Sequence, residues 1–129
     1  MTDRELLTIA EKMQGKAYAP YSNFNVGAAL ECSDGSVFTG CNVENSSYGS
    51  TICAEQVAVT KAVSEGKRDF TRLAVVSESD KYCLPCGTCR QILSEFSPGI
   101  EILCAKAGGA YVSYKLRDLL PFAFSLNDL

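Results

Sequence analysis

Histidine is absent from all 129 residues of the sequence. That one gap excludes Ser-His-Asp and Cys-His nucleophilic machinery, histidine-ligated metal sites and histidine acid–base catalysis together. Proton transfer near neutral pH then falls to a carboxylate, a thiol or a metal-activated water. Long apolar runs are missing as well: no stretch approaches the ~18 residues that a membrane span needs, and Met1-Thr2-Asp3-Arg4-Glu5 is too polar for a secretory leader. The expected location is the cytoplasm, with no membrane partner. Runs of basic charge are lacking too. Twelve Lys and Arg are scattered among fifteen Asp and Glu, the formal charge is −3 and the pI is near 4.9. This balance argues against a surface that tracks phosphates and so against nucleic acid as a partner. A small uncharged ligand is easier to accommodate.

The 47% of hydrophobic residues and a mean hydropathy of +0.03 suit an ordinary folded core, and the length suits one domain covering 1–129. Seven cysteines make an odd number. In a reducing compartment they read as metal ligands, redox groups or small core residues rather than as a disulfide frame.

Thr2 and Glu5 form a capping box, and Leu6, Leu7, Ile9, Ala10, Met13 and Ala17 recur at helical spacing, which predicts a helix to about residue 17. After the turn-rich Ala19-Pro20-Tyr21-Ser22-Asn23, Phe24–Glu31 and Val37–Val43 read as strands joined across Ser33-Asp34-Gly35-Ser36, an antiparallel hairpin. Ile52–Glu65 reads as a largely buried helix closed by Gly66. Then follow a strand at Leu73–Val76, a loop at Lys81–Pro85, a helix at Cys86–Phe96, a strand at Ile100–Ala105, a turn at Gly108-Gly109, a strand at Tyr111–Tyr114 and a short helix at Leu116–Leu120. The expected fold is α/β and layered, with a mixed sheet of about five strands, the first two antiparallel and the later ones joined by helical crossovers.

Two strand-to-helix junctions carry unusual residues. Cys53-Ala54-Glu55 opens one helix and Pro85-Cys86-Gly87-Thr88-Cys89 the next. The free N–H groups and positive dipole end of a helix N-terminus favour the thiolate, the form that binds metal. Cys86 and Cys89, at i and i+3, lie on one face and can reach one ion. Three thiolates leave a tetrahedral zinc one position short, the arrangement that holds a reactive water. Glu55 lies two residues past Cys53 and can meet that water without ligating the ion. Together the two junctions match the zinc-deaminase signature in the variant where cysteine replaces the first histidine.

Other readings of the same residues stay open at this point. Cys86-Gly87-Thr88-Cys89 after a strand fits a thioredoxin-like redox pair, which leaves Cys53 and Glu55 without a role. Cys83, Cys86 and Cys89 with Cys53 fit a closed structural zinc or an iron–sulfur site. Cys32, Cys41 and Cys104 read as packing residues. Glu55 taken alone is an ordinary solvated first-turn carboxylate, and Asn42 and Glu44 taken alone are strand-edge polar residues.

Beyond these junctions the chain resembles the homotetrameric cytidine deaminase family over nearly its whole length. The likeness runs through Tyr18-Ala19-Pro20-Tyr21-Ser22, Phe24-Asn25-Val26-Gly27-Ala28-Ala29-Leu30, Asn42-Val43-Glu44-Asn45, Cys53-Ala54-Glu55 and Pro85-Cys86-Gly87-Thr88-Cys89-Arg90-Gln91. The resemblance implies a three-layer α-β-α domain and one Zn²⁺ per subunit on Cys53, Cys86 and Cys89. It implies hydrolysis of cytidine and deoxycytidine to uridine and deoxyuridine plus ammonia, a pyrimidine salvage reaction in which hydroxide attacks C4 and Glu55 shuttles protons to ring N3 and the leaving amine. The free pyrimidine nucleoside is expected to lie among Phe24, Asn42, Val43, Glu44 and Ala54. Asn42 and Glu44 take the ribose, Phe24 walls the sugar pocket, and the Ala54 N–H meets the pyrimidine carbonyl.

The resemblance further implies a homotetramer in which Phe124 of a neighbouring subunit stacks on the base. Phe122 departs from the small residue usual in the family. Gln56 departs too, standing where the family carries an arginine that bonds to a zinc-bound thiolate. Gln56, and less directly Arg90, are the groups expected to take over that compensation. Blasticidin S deaminase shares the zinc motifs and is the same-class alternative, although its ribose segment is less like Asn42-Val43-Glu44-Asn45. A catalytically silent zinc-binding protein is the alternative from another class, and it has no need of Glu55.

Overall fold

The computed structural model describes residues 1–128. Its centre is one five-stranded sheet in the order β2-β1-β3-β4-β5, made of β1 Val26–Cys32, β2 Val37–Cys41, β3 Phe70–Ser77, β4 Glu101–Ala105 and β5 Tyr111–Lys115. Four helices surround it: α1 Asp3–Met13, α2 Ala54–Ser64, α3 Gly87–Phe96 and the short α4 Leu116–Leu119.

Strand alternation sorts the apolar residues into two cores. Ala28, Leu30, Leu73, Val75, Ile102 and Cys104 face α2 and α3, where they meet Ala58, Val59, Ala62 and Leu93. Their chain neighbours Ala29, Ala74, Val76, Leu103 and Ala105 face the other way and are covered by Leu6, Leu7 and Ala10 of α1. The result is three layers, helix on sheet on helix. Among the described residues no helix is long and apolar enough to cross a membrane.

The expected elements are present with ends shifted by up to three residues, as in β3, which begins at Phe70 rather than Leu73, and with three further differences. The first helix stops at Met13 and tightens into a 3₁₀ turn at Gln14–Lys16. Its predicted capping box is formed, with Thr2 Oγ1 accepting from Glu5 N at 3.1 Å. The second strand ends at Cys41 rather than Val43, because the Asn42 side chain takes over as partner of the facing backbone, as described below. The third difference concerns the crossovers. β3 and β4 are parallel and joined through α3, but β5 returns antiparallel to β4 through a tight turn instead of a helix. Gly108 and Gly109 make that turn with φ of +92° and +94°, a conformation that strongly favours glycine.

Helix placement on the sheet depends on close approach. A Cβ at Gly40 would lie 2.2 Å from the Ala54 carbonyl oxygen and 2.8 Å from the Ala58 nitrogen. The bare glycine therefore lets the first turn of α2 rest on β2, which sets where Cys53, Ala54 and Glu55 stand.

Candidate active site

Cys53 and Cys86 are the N-cap residues of α2 and α3, both in extended backbone conformation, and neither side chain caps its helix. Ordinary N-caps use a side-chain oxygen to satisfy the first N–H groups. Here neither N-cap side chain makes that bond, and the positive ends of the two helix dipoles lie at Cys53 and Cys86. Cys89, one turn into α3, is 1% exposed. The sulfurs of Cys53, Cys86 and Cys89 all lie within 4.8 Å of one another, with Cys86 and Cys89 3.4 Å apart. A tetrahedral zinc with Zn–S bonds of about 2.3 Å sets its sulfurs roughly 3.8 Å apart. The three soft donors fit that ion, and Cys83 stands outside the group.

The thiols already bias one another. Cys89 donates to Cys53, which draws the Cys53 pKa down to about 7 against the cost of burial. The same contact, with burial and the nearby Glu55 charge, holds Cys89 up. Burial pushes Cys83 to about 11 and Cys104 to about 12. Both are inert thiols at neutral pH. All seven cysteines are free, so a Cys86–Cys89 disulfide is not formed.

Glu55 is 6% exposed. Its position on the inward face of α2 excludes the solvated first-turn reading. Burial pushes its carboxyl above the usual range, partly offset by its own backbone N–H and the Cys89 thiol. A cavity of about 270 Å³ opens beside it, lined by Phe24, Asn42, Glu44, Cys53, Ala54, Glu55 and Cys86 among others. Ala54 is the first residue of α2, so its N–H has no partner within the helix.

Asn42 and Glu44 hold the opposite wall. Asn42 Oδ1 accepts from Val26 N at 2.9 Å and its Nδ2 donates to the Phe24 carbonyl at 2.7 Å, so a side chain mimics the next rung of the sheet. Glu44 accepts from the Tyr21 and Ser22 N–H groups at 3.0 and 3.1 Å and from the Ser22 hydroxyl. Val43 is not brought to the cavity. Its neighbours on either side point in, so its own side chain points away, 41% exposed, while its backbone pairs with Ile52 on both sides at 2.9 Å. Sequence reasoning assigns no role to Ser22, Tyr48 and Leu84, which line the same cavity, and gives Cys83, also in the lining, a role only in the alternative four-cysteine site. Ser22 lies within a segment that carries the resemblance, and Tyr48 and Leu84 carry no signal beyond their neighbourhood.

The surrounding residues divide. Gln56 Nε2 lies 3.7 Å from Cys89 Sγ in donor geometry. Arg90 does not reach sulfur: its Nε donates to the Pro85 carbonyl and its Nη1 to the Leu119 carbonyl, both at 2.8 Å. The guanidinium fork is occupied by two backbone acceptors, so Arg90 braces the peptide before Cys86 instead of contacting a thiolate. Phe124 is 61% exposed and Phe122 fully so. Phe124 sits against the far half of α3, beside Ser94, Glu95 and Pro98, with its carbonyl held by Gln91 Nε2 at 3.0 Å, and its ring does not line the cavity of its own chain.

A layered α/β sheet that brings two helix N-termini beginning at cysteines and a buried carboxylate to one small cavity defines the zinc-dependent deaminase class. The family described as "Cytidine and deoxycytidylate deaminase zinc-binding region" matches residues 1–104. A cytidine deaminase of Sporosarcina psychrophila is 44% identical over 130 residues, covering 100% of this chain and 96% of the relative. The crystal structure of cytidine deaminase from Burkholderia pseudomallei superposes with a TM-score of 0.93 at 46% identity, covering 96% of this chain and 100% of that one. A blasticidin-S deaminase of Bacillus cereus is 28% identical over 133 residues, 97% of this chain and 94% of the relative. The chain belongs to the cytidine and deoxycytidylate deaminase family.

Proposed function

We propose that this chain, as one domain acting in the cytoplasm, hydrolyses free cytidine and deoxycytidine to uridine and deoxyuridine plus ammonia. The observation that carries the reading is Glu55, a carboxylate buried in the same cavity as three convergent thiols. A buried carboxylate is costly and has no use in a purely structural zinc site. Zinc, held by Cys53, Cys86 and Cys89, supplies Lewis acidity that brings the pKa of a water toward ~7. Glu55 takes one proton from the attacking water and delivers it to ring N3, then takes the remaining proton from the hydroxyl now on C4 and delivers it to the amine, which leaves as ammonia while the C4 carbonyl forms, and so no histidine is needed. The Ala54 N–H orients the pyrimidine carbonyl, Phe24 walls the sugar, and Asn42 and Glu44 bind its hydroxyls. Greater similarity to a named cytidine deaminase than to the blasticidin relative supports cytidine as substrate. Loss of ultraviolet absorbance when the zinc-loaded protein meets cytidine tests this directly. Turnover of blasticidin S with none of cytidine would transfer the assignment to the other nucleoside.

Assembly follows from the tail. Phe124 is exposed and does not line its own cavity, which supports a homotetramer with sites completed by neighbours. Active protein is then oligomeric in sedimentation. Phe124→Ala is expected to lower kcat/KM by the equivalent of ~1–3 kcal/mol, the usual worth of base–aromatic stacking. A fully active monomer would refute the arrangement.

Gln56 supplies the neighbouring compensation that thiolate charge demands. Three thiolates on Zn²⁺ leave a net negative centre, and a hydrogen bond to Cys89 Sγ withdraws part of that charge. Gln56→Ala is expected to weaken zinc binding by up to ~10–100-fold, and Gln56→Arg to bind at least as tightly. Chelator competition decides it, with unchanged affinity in Gln56→Ala or zinc loss in Gln56→Arg as the contrary results.

A further inference from the structure

We infer that Ser22 is a positioning residue for sugar recognition, its hydroxyl tying the Phe24 backbone to the Glu44 carboxylate and fixing the acceptor that meets a sugar hydroxyl. The inference rests on the reading of Glu44 as a ribose-binding group. Ser22, Phe24 and Glu44 line one cavity. Glu44 Oε1 is occupied by two backbone donors, Tyr21 N at 3.0 Å and Ser22 N at 3.1 Å. Oε2 accepts from the Ser22 hydroxyl, and Ser22 Oγ itself accepts from Phe24 N at 3.0 Å.

The direction of this relay is forced. A backbone N–H only donates and an ionised carboxylate only accepts, so the one hydroxyl proton of Ser22 must go to Glu44. Glu44 is ionised in place: the Ser22 hydroxyl first, then the Ser22 and Tyr21 N–H groups, hold its carboxyl below the usual range despite burial.

Geometry then separates the two oxygens. The final torsion of a glutamate side chain is broad and two-fold. The backbone donors pin Oε1, and only the Ser22 hydroxyl stops Oε2 from swinging about that pin. Oε2 also keeps spare lone-pair capacity, since a carboxylate offers about four acceptor sites. An acceptor held in this way takes a hydrogen bond from a sugar hydroxyl and gains nothing from a C–H in the same place. Ser22 therefore acts on the discrimination of sugars and leaves the chemistry at C4 to Glu55.

Steady-state kinetics of Ser22→Ala, the near-isosteric weak donor Ser22→Cys, Ser22→Thr and Glu44→Gln test the inference, with cytidine and its 2′- and 3′-deoxy analogues as substrates. Ser22→Ala and Ser22→Cys are expected to raise KM for cytidine about tenfold, the scale of one hydrogen bond to a charged group, with kcat within about twofold, because ground-state and transition-state binding are lost together. Ser22→Thr, which keeps the hydroxyl, restores KM. On the analogue lacking the hydroxyl that Glu44 accepts, the Ser22→Ala penalty disappears. An equal rise in KM on every sugar, or a fall in kcat as large as the rise in KM, would mark general damage to the loop and overturn the inference. An unchanged KM in both Ser22→Ala and Ser22→Cys, with Glu44→Gln raised, would overturn it and leave the ribose reading standing. An unchanged KM for cytidine in Glu44→Gln would instead overturn the ribose reading itself.

Discussion

Glu55→Gln is expected to keep its zinc and to lose at least ~100-fold in kcat on cytidine, the scale of removing a general acid–base. The amide has nearly the shape of the carboxylate and fills the same buried position at the start of α2, so the fold and the three thiols are undisturbed. What it lacks is the capacity to take a proton and pass it on. With no histidine anywhere in the chain, with Cys83 and Cys104 held as neutral thiols by burial, and with the other cavity carboxylate, Glu44, tied to Tyr21 and Ser22, no second group is placed to replace it. Metal analysis together with the ultraviolet assay separates the two halves of the expectation. Near-normal turnover in the variant would remove Glu55 from the proposed role.

Removal of a ligand is expected to have an effect of similar size by another route. Cys53→Ala, Cys86→Ala and Cys89→Ala each leave two thiols where the ion needs three, and metal affinity should fall well beyond the ~10–100-fold typical of changes around the ligands. Activity goes with it. Cys89→Ala also empties a fully buried position between α3 and the core, so it should lose thermal stability, while Cys86→Ala, on the exposed side, should lose metal with little change in the metal-stripped protein. Cys83→Ala is the contrast. Its sulfur lies outside the converging group, and zinc content should stay at one per chain. Zinc loss in Cys83→Ala would point to a four-cysteine site instead, and metal measurement by atomic emission on the four variants distinguishes the cases.

Which parts of this site were legible beforehand follows from the range of each interaction. The cysteines and Glu55 stood out because their spacing along two helix starts is a local property, and a helix places i and i+3 on one face whatever surrounds it. The capping box of α1 is equally local. Val43 shares a contiguous run with Asn42 and Glu44, and only the extended backbone at the cavity edge turns alternate side chains in and out. Arg90 was legible as a charge near a metal ligand, yet the carbonyls that occupy it belong to Pro85 and Leu119, the second of them 29 residues further along the chain. The antiparallel return of β5 was masked in the same way: Gly108-Gly109 announces a turn, but a turn does not say beside which strand, or in which direction, the chain comes to rest.

The layered α/β class, the three-cysteine pattern, a carboxylate beside it at Glu55 and the absence of any histidine alternative are all legible in the residues themselves. These depend on residue chemistry and on the two short periodicities of helix and strand. Tertiary structure alone decided how those groups act: that Glu55 is buried beside the thiols instead of solvated, that Gln56 reaches Cys89, that Asn42 and Glu44 carry the loop bearing Phe24, and that Phe124 lies beyond its own cavity. Each of these depends on contacts between segments far apart in the chain. Such contacts form only when the sheet brings the segments together, because burial, hydrogen-bond partners and the resulting shifts in acidity are properties of packed neighbours and not of any one stretch of residues.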